Sequence, residues 1–548
     1  MDKIFDYIVI GSGFGGSVSA MRLSEKGYNV LVIEKGKRFR SKDFPKSDWN
    51  IKKFLWAPLL RCFGFQNITF FRKITILSGV GVGGGSLVYG NTHMMPGDEF
   101  FQNPVWGHFK DWKSALKPYY DKAKFMLGTI PYTRFNHEDL LLKEVAADMG
   151  KESSWSGVNV GVFYGDTEKP TDPYFKGLGP KRTGCVECAG CMVGCRYNAK
   201  NTLDKNYLYF AEKNGAEVKA ETLVTKIEYD GAHYHIHTKS STSWWGRKSH
   251  KVFKSKGLVV SGGVLGTMKL LLDQKYGRKT LTAISDTLGK NIRTNSESLC
   301  GVSNTSEKIN NGVAISSYFN PDDHTHIEVV KYNDDSGLMG RLGTLAVGSG
   351  NGLVRTLKWV AQAIRQPIKL LRITFNIKNW GTNSIIFLVM QSLDNAMRLK
   401  WNKGIFGARM SFVNDENMKV PAYIPVGQEV MHRYAKKTNG ISQNVWPEIL
   451  FNMPMTAHIL GGCPMGENAA EGVVNEKFEV HNYPNMFVLD GSIIPCNLGV
   501  NPSLSITAFS EYAMDQIPDK PGNSKKKLED LLGVDVKTNA WPFHINKS

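Results

Sequence analysis

The sequence predicts an α/β fold built on a parallel sheet, in a chain long enough for two domains. Three observations carry that prediction. An apolar run, Tyr7-Ile-Val-Ile10, leads straight into glycines; a segment with helical spacing runs from Ser17 to Glu25; a second apolar run, Val30 to Ile33, follows. This is the βαβ pattern, whose strands are buried on both faces and so read as continuous rather than alternating hydrophobicity. At 548 residues the chain exceeds the roughly 250–300 residues at which a single core stops growing, so a second domain is expected.

The first turn has its own signature. Gly11, Gly13 and Gly16, in Gly11-Ser-Gly13-Phe14-Gly15-Gly16, fit G-x-G-x-x-G. The first glycine allows the tight turn, the second lets backbone approach a pyrophosphate, and the third packs helix on strand, while the helix N-terminus faces the phosphates. Glu34 closes the second strand, where an acidic side chain reaches the adenosine ribose hydroxyls of a dinucleotide. Composition agrees with a folded small-molecule binder: 42% hydrophobic and 22% charged residues exclude a disordered chain, and 55 glycines in runs without a fixed period exclude collagen and solenoid folds.

A second glycine cluster, Ser78-Gly79-Val-Gly-Val-Gly83-Gly84-Gly-Ser86, stands ahead of Leu-Val-Tyr-Gly-Asn91. It is too glycine-rich for a strand interior and points to backbone lying against a flat ligand. Here the sequence resembles the glucose-methanol-choline (GMC) family of FAD-dependent oxidoreductases, whose corresponding loop runs past the isoalloxazine ring. The resemblance recurs in order along the chain. Gly215-Ala-Glu-Val218 with Val224 looks like the adenine-side strand, and Leu258-Val-Val-Ser-Gly262-Gly-Val-Leu-Gly266 like the second dinucleotide strand and turn. Val488-Leu-Asp490-Gly491-Ser492 and Gly499-Val-Asn501-Pro-Ser503 resemble the closing flavin motifs. The resemblance implies FAD as cofactor, with Asp490 near its ribityl chain and pyrophosphate. It further implies an FAD-binding Rossmann-like domain from residues 1–95, 205–300 and 455–520, and a sheet-based α+β substrate domain from 96–204 and 301–454. Residues 521–548, with Lys525-Lys-Lys527 and Trp541, match no motif and are expected to form a C-terminal tail.

Oxidising an alcohol requires a group that removes or polarises the hydroxyl proton, and histidine titrates near neutrality. His458, in Ala457-His-Ile-Leu-Gly-Gly-Cys-Pro-Met-Gly466, lies where the family places its active-site histidine. The family's second histidine or asparagine corresponds to Asn501, and the two contexts together look most like the cholesterol oxidase branch. That implies a sterol or similar hydrophobic alcohol as substrate, and dioxygen or an electron carrier as acceptor. An asparagine can donate its amide to the substrate oxygen without adding charge; the plainer reading is an Asn shaping the turn before Pro502. Cholesterol oxidases also carry a glutamate that moves a proton during double-bond isomerisation. Glu328, in His326-Ile-Glu-Val-Val-Lys-Tyr332, is the candidate by order, against an ordinary charged residue on a half-exposed strand.

Cys185-x-x-Cys188-x-x-Cys191-x-x-x-Cys195 has the spacing of a bacterial ferredoxin loop, with Arg196 where proline usually follows. On spacing alone an iron–sulfur cluster, a zinc site and a loop of thiols without metal are all open. A cluster would pass electrons singly to a carrier. The alternative enzyme is accordingly a GMC alcohol dehydrogenase feeding a membrane acceptor through an iron–sulfur cluster.

The charge is uneven. Trp49 to Lys73 holds five basic residues and no acidic one, interleaved with Phe and Leu; Ser336 to Leu393 holds seven basic residues and no acidic one. These are 12 of the formal +18. Leu353, Leu357, Val360 and Ile364 fall on one helical face that ends at Pro367. Basic and apolar side chains together suit an anionic membrane surface, where apolar groups insert and cations meet headgroups; core-packed helices with solvated basic edges are the plainer reading. Nucleic acid is not expected as a partner, because no recognised module is present and long apolar runs are poor phosphate cradles. The chain opens without the basic region, long apolar segment and cleavage site of a signal peptide, and its apolar runs are too short to span a bilayer. A cytoplasmic protein, peripheral on the membrane at most, is the expectation.

Overall fold

The computed structural model describes residues 3–243, 249–375, 379–404, 407–414 and 418–535. Ile4–Ile10 stands at the centre of a parallel array whose order is Glu217–Lys219, Val30–Ile33, Ile4–Ile10, His250–Val260 and Met486–Val488. Val30–Ile33 is buried throughout, and so is Ile4–Ile10 after its first residue, as strands covered on both faces must be. His250–Val260 changes partner along its outer edge where its composition changes. Its polar first half pairs antiparallel with Tyr234–Ser240, which in turn pairs with Thr222–Tyr229; its apolar end, Leu258–Val260, pairs with Met486–Val488. The helices Phe14–Glu25 and Ser503–Asp515 pack on each other, and nearly every residue of both is buried.

The second sheet has seven strands, all antiparallel, in the order Gly343–Leu345, Ile441–Val445, Ser298–Ser303, Ser384–Gln391, Thr325–Val330, Ile315–Asp322 and Ser156–Gly157. Strand alternation gives it two different faces. Ile327, Val329, Phe387 and Val389 point into a core shared with the helices His137–Asp148 and Pro425–Lys437. Val330, Ile386 and Leu388 point the other way, toward the parallel-sheet domain.

Three segments sit differently from the sequence expectation. The helix Trp112–Leu127, placed by sequence in the substrate domain, packs on Ser503–Asp515. Trp112, Leu116, Tyr120 and Leu127 give it an apolar stripe that completes the first core, and Tyr120 donates its hydroxyl hydrogen to Ser505 Oγ at 2.8 Å. The hairpin Met397–Gly404/Gly407–Asn414 likewise sends Met397, Leu399 and Phe412 into that core. The expected tail is, as far as residue 535, docked on the first helix. Arg22, buried there, is held by Glu25, Glu511 and Glu529, and Leu528 and Leu532 are buried beside it. Trp541 lies outside the described residues. Among the described residues no helix is long and apolar enough to cross a membrane.

Candidate active site

The two glycine-rich turns meet. A Cβ on Gly84, whose φ is +52°, would lie 2.6 Å from Gly13 Cα, so neither turn leaves room for a side chain on Gly84. Gly11, at φ +97°, presses against the Ser261 carbonyl and thereby brings the first turn onto the turn that follows His250–Val260. Side chains on Gly15 and Gly16 would overlap the carbonyls of Leu489 and Gly11. Ser86 Oγ donates to the Gly83 carbonyl at 2.7 Å and accepts from Leu203 N–H at 3.1 Å, which fixes the second turn. Asp490 accepts from the Thr267 hydroxyl at 2.5 Å and from Ser492 N–H at 2.8 Å, and Thr267 Oγ1 accepts from Gly262 N–H at 3.0 Å. Burial holds the Asp490 carboxyl above the usual carboxylate range.

A cavity of about 340 Å³ runs from these turns to the inner face of the second sheet. Of the sequence-predicted residues, Gly13, Phe14, Gly15, Gly79, Asp490, Gly491, His458 and Asn501 line it. The floor of the cavity forms a cradle that fits FAD. An added Cβ at Gly13 would meet nothing nearer than Gly84 Cα at 4.0 Å, and one at Gly263 nothing within 4 Å, so bare backbone borders open space at the ends of two parallel strands. The arrangement suits a dinucleotide at that switch of strand order. Gly11, Gly16, Gly83, Gly84, Ser86 and Gly262 act one layer back, by shaping the turns. Glu34 accepts from Ser12 N–H, from the Ser12 hydroxyl at 2.8 Å and from Gly36 N–H at 2.8 Å, with an acceptor site on Oε1 left for a ribose hydroxyl. Asn91, buried at φ +70°, accepts Gly161 N–H on its carbonyl; Val224 is buried at a register shift in Thr222–Tyr229.

His458 follows the short strand Met455–Thr456, which pairs parallel with Thr75–Gly79, the strand that feeds the second glycine turn. That pairing sets the imidazole beside the cavity floor. Its surroundings come from a residue the sequence reading did not single out. Glu297, fully buried, accepts from the Thr456 hydroxyl at 2.6 Å and from Ala457 N–H at 3.0 Å, and its carboxylate stands 3.4 Å from His458 Nδ1. The Nδ1 contact is too long and poorly aligned for a good hydrogen bond, so it is chiefly a charge interaction. Burial disfavours the imidazolium, but Glu297, with Glu328 adding a smaller share, outweighs it and holds the His458 pKa above the usual histidine value.

Asn501 Nδ2 donates to Glu328 Oε2 at 3.1 Å, and its Oδ1 has no protein partner among the described residues. Glu328 is buried behind Asn501, on the same strand face as Val330, which lines the cavity. It is therefore no half-exposed surface acid. Its other oxygen lies 3.2 Å from His326 Nε2, and His326 Nδ1 lies 2.9 Å from Asn320 Oδ1. Asn295 completes the frame: its amide donates to the Val500 carbonyl at 3.0 Å and accepts Gly499 N–H at 2.8 Å. Asn295 and Glu297 thus grip the segments that carry Asn501 and His458. The readable signal was an acid and an amide in a short polar run immediately before the strand Ser298–Ser303, and, for His326, its i,i+2 relation to Glu328.

The four clustered cysteines are free thiols around a separate cavity of about 210 Å³, with Lys200 at its wall. Among the described residues no group of three or more His, Cys, Asp or Glu is placed to hold a metal ion. The loop is instead tied down by Lys200 Nζ, which donates to the carbonyls of Leu87, Tyr89 and Cys191. Burial pushes the Lys200 pKa down to about 7. The loop therefore buttresses the second glycine turn.

The comparisons with known proteins agree with this geometry. GMC oxidoreductase models match residues 177–296 and 413–510, and an NAD(P)-binding Rossmann-like domain model matches residues 9–50. The chain is 43% identical over 537 residues to a cholesterol oxidase of Mycobacterium tuberculosis (strain ATCC 25618 / H37Rv), covering 95% of this chain and 92% of that protein. It is 40% identical over 529 residues to a cholesterol oxidase of Acinetobacter baumannii, covering 94% and 95%. Among solved structures, pyridoxine 4-oxidase from Mesorbium loti shares the fold with a TM-score of 0.59 at 14% identity, over 93% of this chain and 99% of that one. The chain belongs to the GMC oxidoreductase family and is an FAD-dependent oxidoreductase acting on the CH–OH group of an alcohol.

Proposed function

We propose that the alcohol is a sterol, that its 3β-hydroxyl is oxidised to the ketone, and that dioxygen takes the electrons and leaves as hydrogen peroxide. The observation that carries this reading is the cavity's polarity. Its wall is mostly apolar, formed by side chains such as Leu77, Val88, Leu299, Ile315, Leu388 and Trp380, with Glu297, Gln443 and Asn444 among the polar groups that join His458 and Asn501, which suits a largely hydrocarbon substrate bearing a hydroxyl. The two cholesterol oxidase relatives support the same substrate class. Bound FAD would supply the hydride acceptor for the carbinol carbon. His458 receives the hydroxyl proton, and Glu297 stabilises the imidazolium that results. Asn501, tethered by Glu328, orients the substrate oxygen. Glu328, paired with His326, moves a proton on the steroid ring so that the double bond comes into conjugation with the new ketone.

The test is anaerobic mixing of the yellow holoenzyme with a 3β-hydroxysterol, which should bleach the flavin, whereas short polar alcohols and sugars should not. Reduction by the polar alcohols alone overturns the sterol assignment. The alternative with an iron–sulfur cluster requires iron and acid-labile sulfide in protein prepared without oxygen; the separate thiol cavity does not favour it.

A further inference from the structure

Helix Gly352–Arg365 is amphipathic in the wrong sense for a surface helix. The side facing the protein carries Arg355, which is fully buried and donates to the carbonyls of Ala422 and Glu448, and Trp359, which donates to Thr344 Oγ1. The side facing solvent carries the apolar stripe: Leu353 is 72% exposed, Leu357 61% and Ile364 75%. A second helix, Pro367–Phe375, continues it, anchored by Ile373 on the strand Gly343–Leu345 and presenting Ile368, Leu371 and Phe375 outward, the last 74% exposed. A globular surface helix turns such residues inward. Exposed Lys358, Arg365, Lys369 and Arg372 flank the stripe, and Ser336 to Leu393 contains no acidic residue.

The insertion is fastened to the substrate cavity. It is strung between Met339–Gly343 and Trp380, which line that cavity, and the Trp380 ring closes onto Gly340 so that the two ends meet on the cavity wall. The other acid-free stretch reaches the same place: Phe54 and Phe65 cluster with Met339 and Trp380, and Asp48 accepts Met339 N–H.

We propose that the helix pair 352–375 is a bilayer-docking surface that seats the cavity wall on an anionic lipid interface. The partner is chosen by charge and shape together: an apolar stripe for the acyl boundary, cations for the headgroups, and helices of 14 and 9 residues, too short to cross. The purpose of the contact rests on the lipid-substrate reading, but its existence does not, so the test uses vesicles free of sterol.

Full-length holoenzyme is floated with phosphatidylcholine vesicles with and without phosphatidylserine. The protein should float only with the anionic vesicles. The double variant Leu357→Ser/Ile364→Ser should partition at least about tenfold more weakly, and Lys369→Gln/Arg372→Gln about fivefold more weakly per cation removed. Ile368→Ser/Phe375→Ser, on the other helix, guards against a local folding defect, and flavin absorbance with turnover of a detergent-dispersed substrate should stay unchanged in all three. Wild-type protein left at the bottom of the gradient with anionic vesicles overturns the proposal. So does a concentration-dependent dimer that Leu357→Ser/Ile364→Ser dissolves, because the stripe would then be a contact between copies. Flotation without sterol oxidation would leave the docking surface standing and remove the sterol reading instead.

Discussion

Replacing Glu297 by Gln tests whether the acid behind His458 acts on the reaction. The amide keeps the shape and an acceptor for Ala457 N–H but removes the charge 3.4 Å from Nδ1. At that distance and an effective dielectric of about 20, a full charge pair is worth about 5 kcal/mol. If half of the imidazolium charge has developed at the transition state, about 2.5 kcal/mol is lost, a fall of roughly 50- to 100-fold in the rate of flavin reduction. The pH dependence supplies the sign. His458 is a base only when neutral, and its raised pKa places the acidic limb of the rate profile above the ordinary histidine value of 6.5. In the variant burial, which favours the neutral ring, is opposed only by the smaller share from Glu328, so the limb moves to lower pH while the plateau falls. Anaerobic stopped-flow reduction by saturating sterol, measured across pH, reads both quantities, and Glu297→Asp should restore part of each. An unchanged plateau, or a lower plateau with the limb unmoved, refutes the electrostatic role and leaves Glu297 as packing.

Three further outcomes follow from the same geometry. Glu328→Gln should keep alcohol oxidation within about tenfold yet stop isomerisation, so that the unconjugated ketone accumulates, which the ultraviolet absorbance of the conjugated enone reports. Gly15→Ala should force a methyl into the Leu489 carbonyl, cost about 3 kcal/mol or more, and yield protein with little visible flavin absorbance per mole. Glu529→Gln addresses the docked C-terminal segment. Burial raises the carboxyl, but Arg22 outweighs it and brings the pKa from 4.5 to about 2. A depressed carboxyl stabilises above its unfolded pKa and loses that contribution as pH falls toward the folded one. The variant should therefore be less stable by about 3 kcal/mol at neutral pH, with the gap closing below pH 4.5 in denaturant unfolding.

What could be read from sequence and what could not divide along a physical line. The parallel strands and their glycine turns were legible because each is local: a strand with six buried residues, a turn, a helix, and the acid at the end of the next strand lie within some thirty positions, and their periodicities leave few alternatives. Motif context singled out His458 and Asn501, and both line the cavity. Glu297 was not singled out, since the polar loop Asn295 to Glu297 does not say which distant segments its acid and its amide will reach. The fold buries that loop by turning it through positive φ at Asn295 and Ser296, and only then do the acid and the amide point at segments 160 and 205 residues away. The helix Trp112–Leu127 was misplaced for the same reason, because its apolar stripe says that it packs but not on which domain.

The positive charge shows how far a local signal can be carried. Sequence located the excess in two stretches, which is a statement about composition and needs no fold. It could not say that Phe54 and Met339 share one cluster, because that contact closes across about half the length of the chain. Nor could it choose which side of the helix Gly352–Arg365 faces water, since helical spacing defines a stripe without an orientation. Burial of Arg355 settles the orientation: a guanidinium held by two backbone carbonyls cannot be turned out without stranding them, so the leucines and isoleucine on the opposite side are committed to the exterior. The charge and the apolar stripe then become one surface, attached to the wall of the cavity that receives the substrate.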